Sequence, residues 1–285
     1  MVDVLISANE LHRSLAREND RPLVLDVRWV LGDPHGREHY VERRVPGSVY
    51  VDLNTELAAP PSAQEGRHPL PKPEDLQAAA RRWGLREGQR VVVLDDNGGQ
   101  SAARAWWLLR WAGQEHVLIL DGGLKAWIAA GYVVDGPQDP IPAPAPGDVR
   151  LGAGHLPTLG IDEAAEFPRH GVLLDARAGA RYRGEQEPVD PRAGHIPGAV
   201  SAPTAENLQE SGKFKDPREL RMRFEALGVV AGKPDAVAVY CGSGVTAAHD
   251  VAALAVAGIH AALYPGSWSQ WSNDPDRPAA TGPEA

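Results

Sequence analysis

The sequence predicts an α/β protein made of two tandem copies of one domain, each a parallel sheet with helices on both faces. Three observations carry this prediction. Unlike segments recur in the same order in the two halves, short apolar strands alternate with helical stretches within each half, and a proline-rich stretch separates the halves. Length agrees, since 285 residues exceed what one hydrophobic core usually organises.

The repeated segments can be followed along the chain. Leu23-Val24-Leu25-Asp26-Val27-Arg28 matches Val172-Leu173-Leu174-Asp175-Ala176-Arg177. Each is an apolar run ending in Asp-x-Arg, as a buried parallel strand leading into a loop would read. Pairing of Arg28 with Asp26, and of Arg177 with Asp175, would steady those loops. Arg44-Val45-Pro46-Gly47-Ser48-Val49 then matches His195-Ile196-Pro197-Gly198-Ala199-Val200, where His195 and Pro197 shape a turn. Helix-like stretches from Lys72-Pro73 to Gly84-Leu85 and from Asp216-Pro217 to Gly228-Val229 each lead to a strand, RVVVLD or AVAVYC. Asp121-Gly122-Gly123-Leu124-Lys125-Ala126-Trp127 and Pro265-Gly266-Ser267-Trp268-Ser269-Gln270-Trp271 close the two copies.

Offsets of 149, 151, 144 and 144 residues between the matched segments mean that small insertions separate the copies. Between them, prolines 137, 140, 142, 144 and 146 predict a semi-extended linker. The expected division is residues 1–137, a linker over 138–155, and residues 156–285. Helices are expected from Ser101 to Leu109 and from Val245 to Ala257, with tryptophans 106, 107, 111 and 127 in core and interdomain packing. Sheets of this kind place ligands at the C-terminal ends of their strands, where Cys241 falls.

A hydrophobic fraction of 43% and a charged fraction of 24% are those of an ordinary folded protein and exclude wholesale disorder. A formal net charge of -9, with no basic run, argues against nucleic acid as a partner. No stretch of eighteen apolar residues offers a membrane span, and no signal-like start is seen, so the cytoplasm is the default expectation. The single cysteine permits no intramolecular disulfide and no cysteine-based zinc cluster, which suits a reducing compartment. His35 and His39 stand four apart, but Pro34 and Gly36 spoil a metal-binding helix face, and no metal or cofactor is expected.

Cys241-Gly242-Ser243-Gly244-Val245-Thr246 follows the strand Val237–Tyr240 and opens a helix, so its sulfur should lie at a helix N-terminus. Free backbone N–H groups and the helix dipole favour a thiolate there, and the glycines let the chain curl around it. A lone cysteine after an apolar strand is most often a small buried hydrophobe, but the glycine-paired loop and helix start reverse that expectation here. A phosphatase would need Cys-x5-Arg, and Ala247 stands where the arginine would be. In the first copy the equivalent stretch is Asp95-Asp96-Asn97-Gly98-Gly99-Gln100-Ser101, one residue longer. A carboxylate is no substitute for a thiolate nucleophile, so the first domain is expected to be catalytically silent. No Gly-Lys-Ser/Thr follows, so it is no phosphate loop either.

The CGSGVT loop, the DAR and RYRG segments, GHIPGAV and YPGSWSQW together resemble the active half of tandem rhodanese-type sulfurtransferases, and the resemblance covers nearly the whole chain. Within that family CRKGVT is typical of thiosulfate sulfurtransferases and CG-S/A-GVT of 3-mercaptopyruvate sulfurtransferases. The loop here is of the second kind, and its Gly and Ser make a less positive pocket than Arg and Lys would.

The resemblance implies transfer of a sulfane sulfur from 3-mercaptopyruvate through a Cys241 persulfide to a thiol such as thioredoxin or a small thiol, or to cyanide. Thiosulfate as donor, and a non-enzymatic binding module, are the rival readings. Ser243 and His68 are implied as catalytic partners of Cys241, with either Asp52 or Asn54 behind His68. Arg181 is implied as the donor's carboxylate ligand, with Gly242, Gly244, Val245 and Thr246 lining the site. A second arginine of the family's Pro-Glu-Pro-Arg-Asp stretch has no clean match. Arg192 is the expected substitute and Arg183 the other candidate.

Overall fold

The computed structural model describes residues 3–17, 20–233 and 235–284. The first half holds strands β1 (Leu5–Ile6), β2 (Leu23–Val27), β3 (Val49–Val51), β4 (Val91–Leu94) and β5 (Val117–Leu120) in one parallel sheet of order β1-β5-β4-β2-β3. The second holds β6 (Val172–Asp175), β7 (Val200–Ser201), β8 (Val237–Tyr240) and β9 (Ala262–Leu263), also parallel, in the order β7-β6-β8-β9. A single parallel bridge between Thr158 and Leu263 stands where β1 lies in the first sheet. The two sheets therefore share one topology, and β4 and β8 occupy its centre.

Both central strands are wholly buried runs, VVVL and VAVY, as strands covered by helices on both faces must be. Each ends at the loop singled out in the sequence, and each loop leads into a twelve-residue helix, Gln100–Trp111 or Val245–Val256. These two helices pack on each other, and nearly every residue along them is buried, Trp107 and His249 included. Consequently one hydrophobic core runs through both halves, from Leu25 and Val93 to Val239 and Leu263. Two smaller clusters, around Leu124 and Trp127 and around Trp268 and Trp271, cover the outer sheet faces. The tandem copies thus form a continuous body around the paired helices, with the two strand-end loops brought to that pairing.

The proline-rich segment has neither helix nor strand over residues 138–155. It does not hang free. Gly147 and Val149 donate their N–H groups to Arg81 and Leu85 at 2.8 and 3.2 Å, and Val149 is buried. Its path is a docked strap along the first domain, because the apolar side chain and the backbone amides both find partners there. Both Asp-x-Arg pairs form: Arg28 Nε lies 2.5 Å from Asp26, and Arg177 Nη2 lies 2.6 Å from Asp175.

Candidate active site

Cys241 sits immediately after β8 with 1% of its surface exposed. Its N–H donates to Ser267 Oγ at 3.1 Å, and its carbonyl accepts from Trp268 at 2.9 Å, so the strand end is clamped by the segment after β9. Ser267 holds this place in a left-handed conformation, φ 54°, a strained state for a non-glycine residue. Gly244 caps the following helix at φ 77°, and a β-carbon there would lie 2.5 Å from the Pro265 carbonyl oxygen. Only glycine fits, and the resulting turn aims the Gly244 N–H at Sγ, 3.1 Å away.

Ser243 is buried beside the sulfur, and its Oγ lies 2.8 Å from His68 Nδ1 of the first domain. The other ring nitrogen, Nε2, lies 3.2 Å from Asn54 Oδ1. That oxygen also takes the indole N–H of Trp29 at 3.0 Å. Indole N–H can only donate, so the Asn54 atom it touches is the acceptor oxygen, and His68 Nε2 must carry the proton. Nδ1 is then the lone pair that receives the Ser243 hydroxyl. Burial, with Arg104 and Arg67 nearby, lowers the His68 pKa to about 3, so the imidazole is neutral at ordinary pH. Asp52 is occupied elsewhere, capping the short helix Leu53–Glu56 by accepting the Thr55 N–H at 3.1 Å. Asn54 is therefore the residue behind His68.

A cavity of about 950 Å³ opens between the domains onto this loop, lined by Cys241, Gly242, Ser243, Val245 and Thr246. Trp29, Val30, Leu31 and Arg67 form its first-domain wall, and Arg177 to Arg181 much of the other. Gly244 contributes its amide to the sulfur and is not part of the lining. Two guanidiniums converge above Gly242. A β-carbon there would stand 3.0 Å from Arg67 Nη2 and 3.3 Å from Arg181 Nη1. Asp190 bridges the pair, holding Arg67 on one oxygen and Arg181 at 3.1 Å on the other, and Glu187 takes Arg181 at 2.6 Å.

Arg192 is a correction. Its guanidinium donates to the carbonyls of Trp271, Ser272, Asp274 and Arg277 at 2.6 to 2.9 Å, which pins the C-terminal segment and keeps it off the cavity wall. With all three nitrogens engaged by carbonyls, four of its five N–H donors are spent away from the cavity. Arg183 lines the rim, paired with Glu185 at 2.7 Å. The second guanidinium over the loop is Arg67, which sequence reasoning passed over although it adjoins His68. His195 is buried, stacked on Tyr182, with Nδ1 2.8 Å from the Tyr182 carbonyl. His35 and His39 are spent on Glu38 and Asp33.

The profile of the rhodanese-like domain matches residues 7–130 and again residues 161–274. The chain belongs to the rhodanese-like family. Its rhodanese-like halves align throughout with curated relatives. A Pseudomonas aeruginosa protein named "Probable 3-mercaptopyruvate sulfurtransferase" is 46% identical over 287 residues, covering 98% of each chain. A Mycobacterium tuberculosis protein named "Putative thiosulfate sulfurtransferase SseB" is also 46% identical, over 98% of this chain and 97% of its own. Among solved structures, the 3-mercaptopyruvate sulfurtransferase SseA of Escherichia coli superposes with a TM-score of 0.79 at 29% identity, over 94% of this chain and 99% of that one.

Proposed function

We propose that this rhodanese-like protein is a sulfurtransferase that takes sulfur from 3-mercaptopyruvate onto Cys241 and passes it to a thiol or to cyanide. The observation that carries it is the juxtaposition of the Cys241 sulfur, the Gly244 amide and the Ser243–His68 pair at the floor of a cavity roofed by Arg67 and Arg181. The donor's carboxylate lies against the two guanidiniums, which places its sulfur toward Sγ.

Cys241 thiolate attacks the donor sulfur, the carbon–sulfur bond breaks, and pyruvate leaves as its enolate while Cys241 becomes a persulfide anion. The donor's thiol proton passes through the Ser243 hydroxyl and the free lone pair of His68 Nδ1 to the enolate carbon. Because His68 is held well below its ordinary pKa, the proton rests on it only in transit. The backbone amides at the loop hold the negative sulfur in both states. An acceptor thiol or cyanide then removes the outer sulfur and restores the thiolate. Thioredoxin or a small thiol is the acceptor class this chemistry calls for, and the cytoplasm the compartment that keeps Cys241 reduced.

Thiosulfate is the second reading, favoured by the name of the Mycobacterium tuberculosis relative. The charge balance supports the keto acid: Asp190 and Glu187 already offset Arg67 and Arg181, leaving little net attraction for a dianion. The first domain supplies Arg67, His68, Asn54 and Trp29 to the site and no nucleophile. Comparing kcat/KM for 3-mercaptopyruvate and thiosulfate, with Cys241→Ser as control, tests all of this. Preference for the keto acid, with a mass gain of one sulfur atom on Cys241 when acceptor is withheld, is expected. Turnover by Cys241→Ser would sink the mechanism.

A further inference from the structure

Arg104 lies in the middle of the first domain's helix Gln100–Trp111, in a run of alanines and tryptophans, and is fully buried. Among the described residues no carboxylate pairs with it. Instead its guanidinium donates to carbonyls alone: Leu57 at 3.1 and 3.2 Å, His68 at 3.0 Å, Pro69 at 3.3 Å and, across the domain boundary, Gly244 at 3.3 Å. A permanent cation in a dry interior is costly unless an anion offsets it. The Gly244 carbonyl it holds belongs to the residue whose N–H points at Cys241 Sγ.

The second domain provides an internal control. Its helix Val245–Val256 carries His249 at the matching position, each residue standing five beyond the glycine that caps its helix. His249 reaches back across the boundary in the same way, its Nε2 lying 3.1 Å from the Gly98 carbonyl of the first domain's loop. Burial lowers its pKa to about 4, so it is a neutral donor. The loop it braces contains Asp95, whose carboxylate already receives four backbone N–H groups. The loop braced by Arg104 contains the thiol. A neutral group faces the loop whose anion is satisfied, and a permanent cation faces the loop whose anion must come from sulfur.

We propose that Arg104, supplied by the domain without a thiol, is the counter-charge and positioning residue for the sulfur anion of Cys241. It holds the Gly244 carbonyl, which fixes the residue whose N–H lies on the sulfur, and it offsets the negative charge of thiolate and persulfide in a low-dielectric interior. It also fixes the His68 carbonyl, so one side chain sets the loop and the histidine together. The burial that lowers the Arg104 pKa to about 10 is opposed by one charge, that of Cys241. The assignment rests on Cys241 being the sulfur carrier.

Alkylation of Cys241 by iodoacetamide at neutral pH tests the coupling without any sulfur donor, alongside kcat/KM for the donor. Arg104→Met is expected to slow alkylation about tenfold and to lower kcat/KM at least as much. A merely structural role would give the opposite sign, because loosening the interface exposes the buried sulfur and speeds alkylation. Removing this guanidinium could unfold the chain, so Arg104→Lys is the companion variant. It keeps the charge and loses the fork, and is expected to alkylate within about threefold of the parent while melting at lower temperature. Faster or unchanged alkylation in Arg104→Met, or equal slowing in both variants, overturns the proposal. Slowed alkylation with turnover surviving in Cys241→Ser would instead leave the coupling intact and refute the sulfur-carrier mechanism.

Discussion

The loops after β4 and β8 begin with the same backbone frame and end with opposite capacities. Each leaves a central strand, turns through a left-handed glycine and starts a twelve-residue helix. In the first, Asp95 folds its carboxylate into its own ring of amides, taking N–H groups from Asn97, Gly99, Ser101 and Ala102 at 2.8 to 3.2 Å. In the second, Cys241 Sγ takes the N–H of Gly244, the counterpart of Gly99. A carboxylate oxygen stands two bonds from Cβ, as the outer sulfur of a cysteine persulfide does. Asp95 therefore shows the place an outer sulfur would take on Cys241, against the amides of Thr246 and Ala247 that match Ser101 and Ala102. One domain has closed its cradle with a fixed anion; on the proposed mechanism the other keeps it for a transferable one.

The largest expected effect comes from making the second loop resemble the first. Cys241→Asp should abolish sulfur transfer, by more than about a thousandfold, yet melt no lower than the parent because the new carboxylate fills the waiting amides. A lowered melting temperature would show that the two cradles are not equivalent. Removing the first loop's own anion, Asp95→Ala, should cost about 3 to 5 kcal/mol in urea unfolding, by leaving four backbone N–H groups unpaired, three of them buried, while the folded fraction keeps its kcat/KM. A large loss of kcat/KM at full folding would mean that the first loop takes part in turnover.

Smaller effects are expected where the first domain reaches the thiol. His68→Ala should lower kcat for 3-mercaptopyruvate about a hundredfold, and Ser243→Ala added to it should cost little more, since the two act as one relay. Additive losses would separate them. Trp29→Phe frees the Asn54 amide to flip and should lower kcat about fivefold, the worth of one hydrogen bond.

His68 should add no step to the pH dependence of turnover. With its folded pKa near 3 against an ordinary 6.5, His68 stays neutral in the folded protein, so kcat/KM should show no step from it between about pH 5 and pH 8. The unfolded chain binds that proton first, so the stability tied to His68 is complete above pH 6.5 and is lost as pH falls toward 3. Nitrogen-15 NMR of the ring should report the neutral Nε2–H form throughout the range.

Much of this was legible because it is local. Duplication, the Asp-x-Arg strand ends and the strand–Cys–glycine–helix order are all contiguous in the chain, and a glycine needed for positive φ at position 244 leaves its mark in the sequence. Asn54 was one of two candidates and needed coordinates to separate it from Asp52, whose oxygen is consumed by a helix cap. Arg192 misled because its carbonyl partners lie 79 to 85 residues further along the chain. Arg104 did leave a trace, an isolated guanidinium in an alanine and tryptophan run, which marks burial but not what it faces.

By itself, then, the sequence determined two α/β copies, one thiol at a strand end, and the loop that can hold its negative charge, since backbone conformation and side-chain periodicity are set by near neighbours. Only the tertiary structure decided which first-domain side chains complete the site. Arg67, His68 and Arg104 reach the Cys241 loop, at Gly242, Ser243 and Gly244, because the two buried helices pack together, and that meeting of surfaces depends on the whole fold.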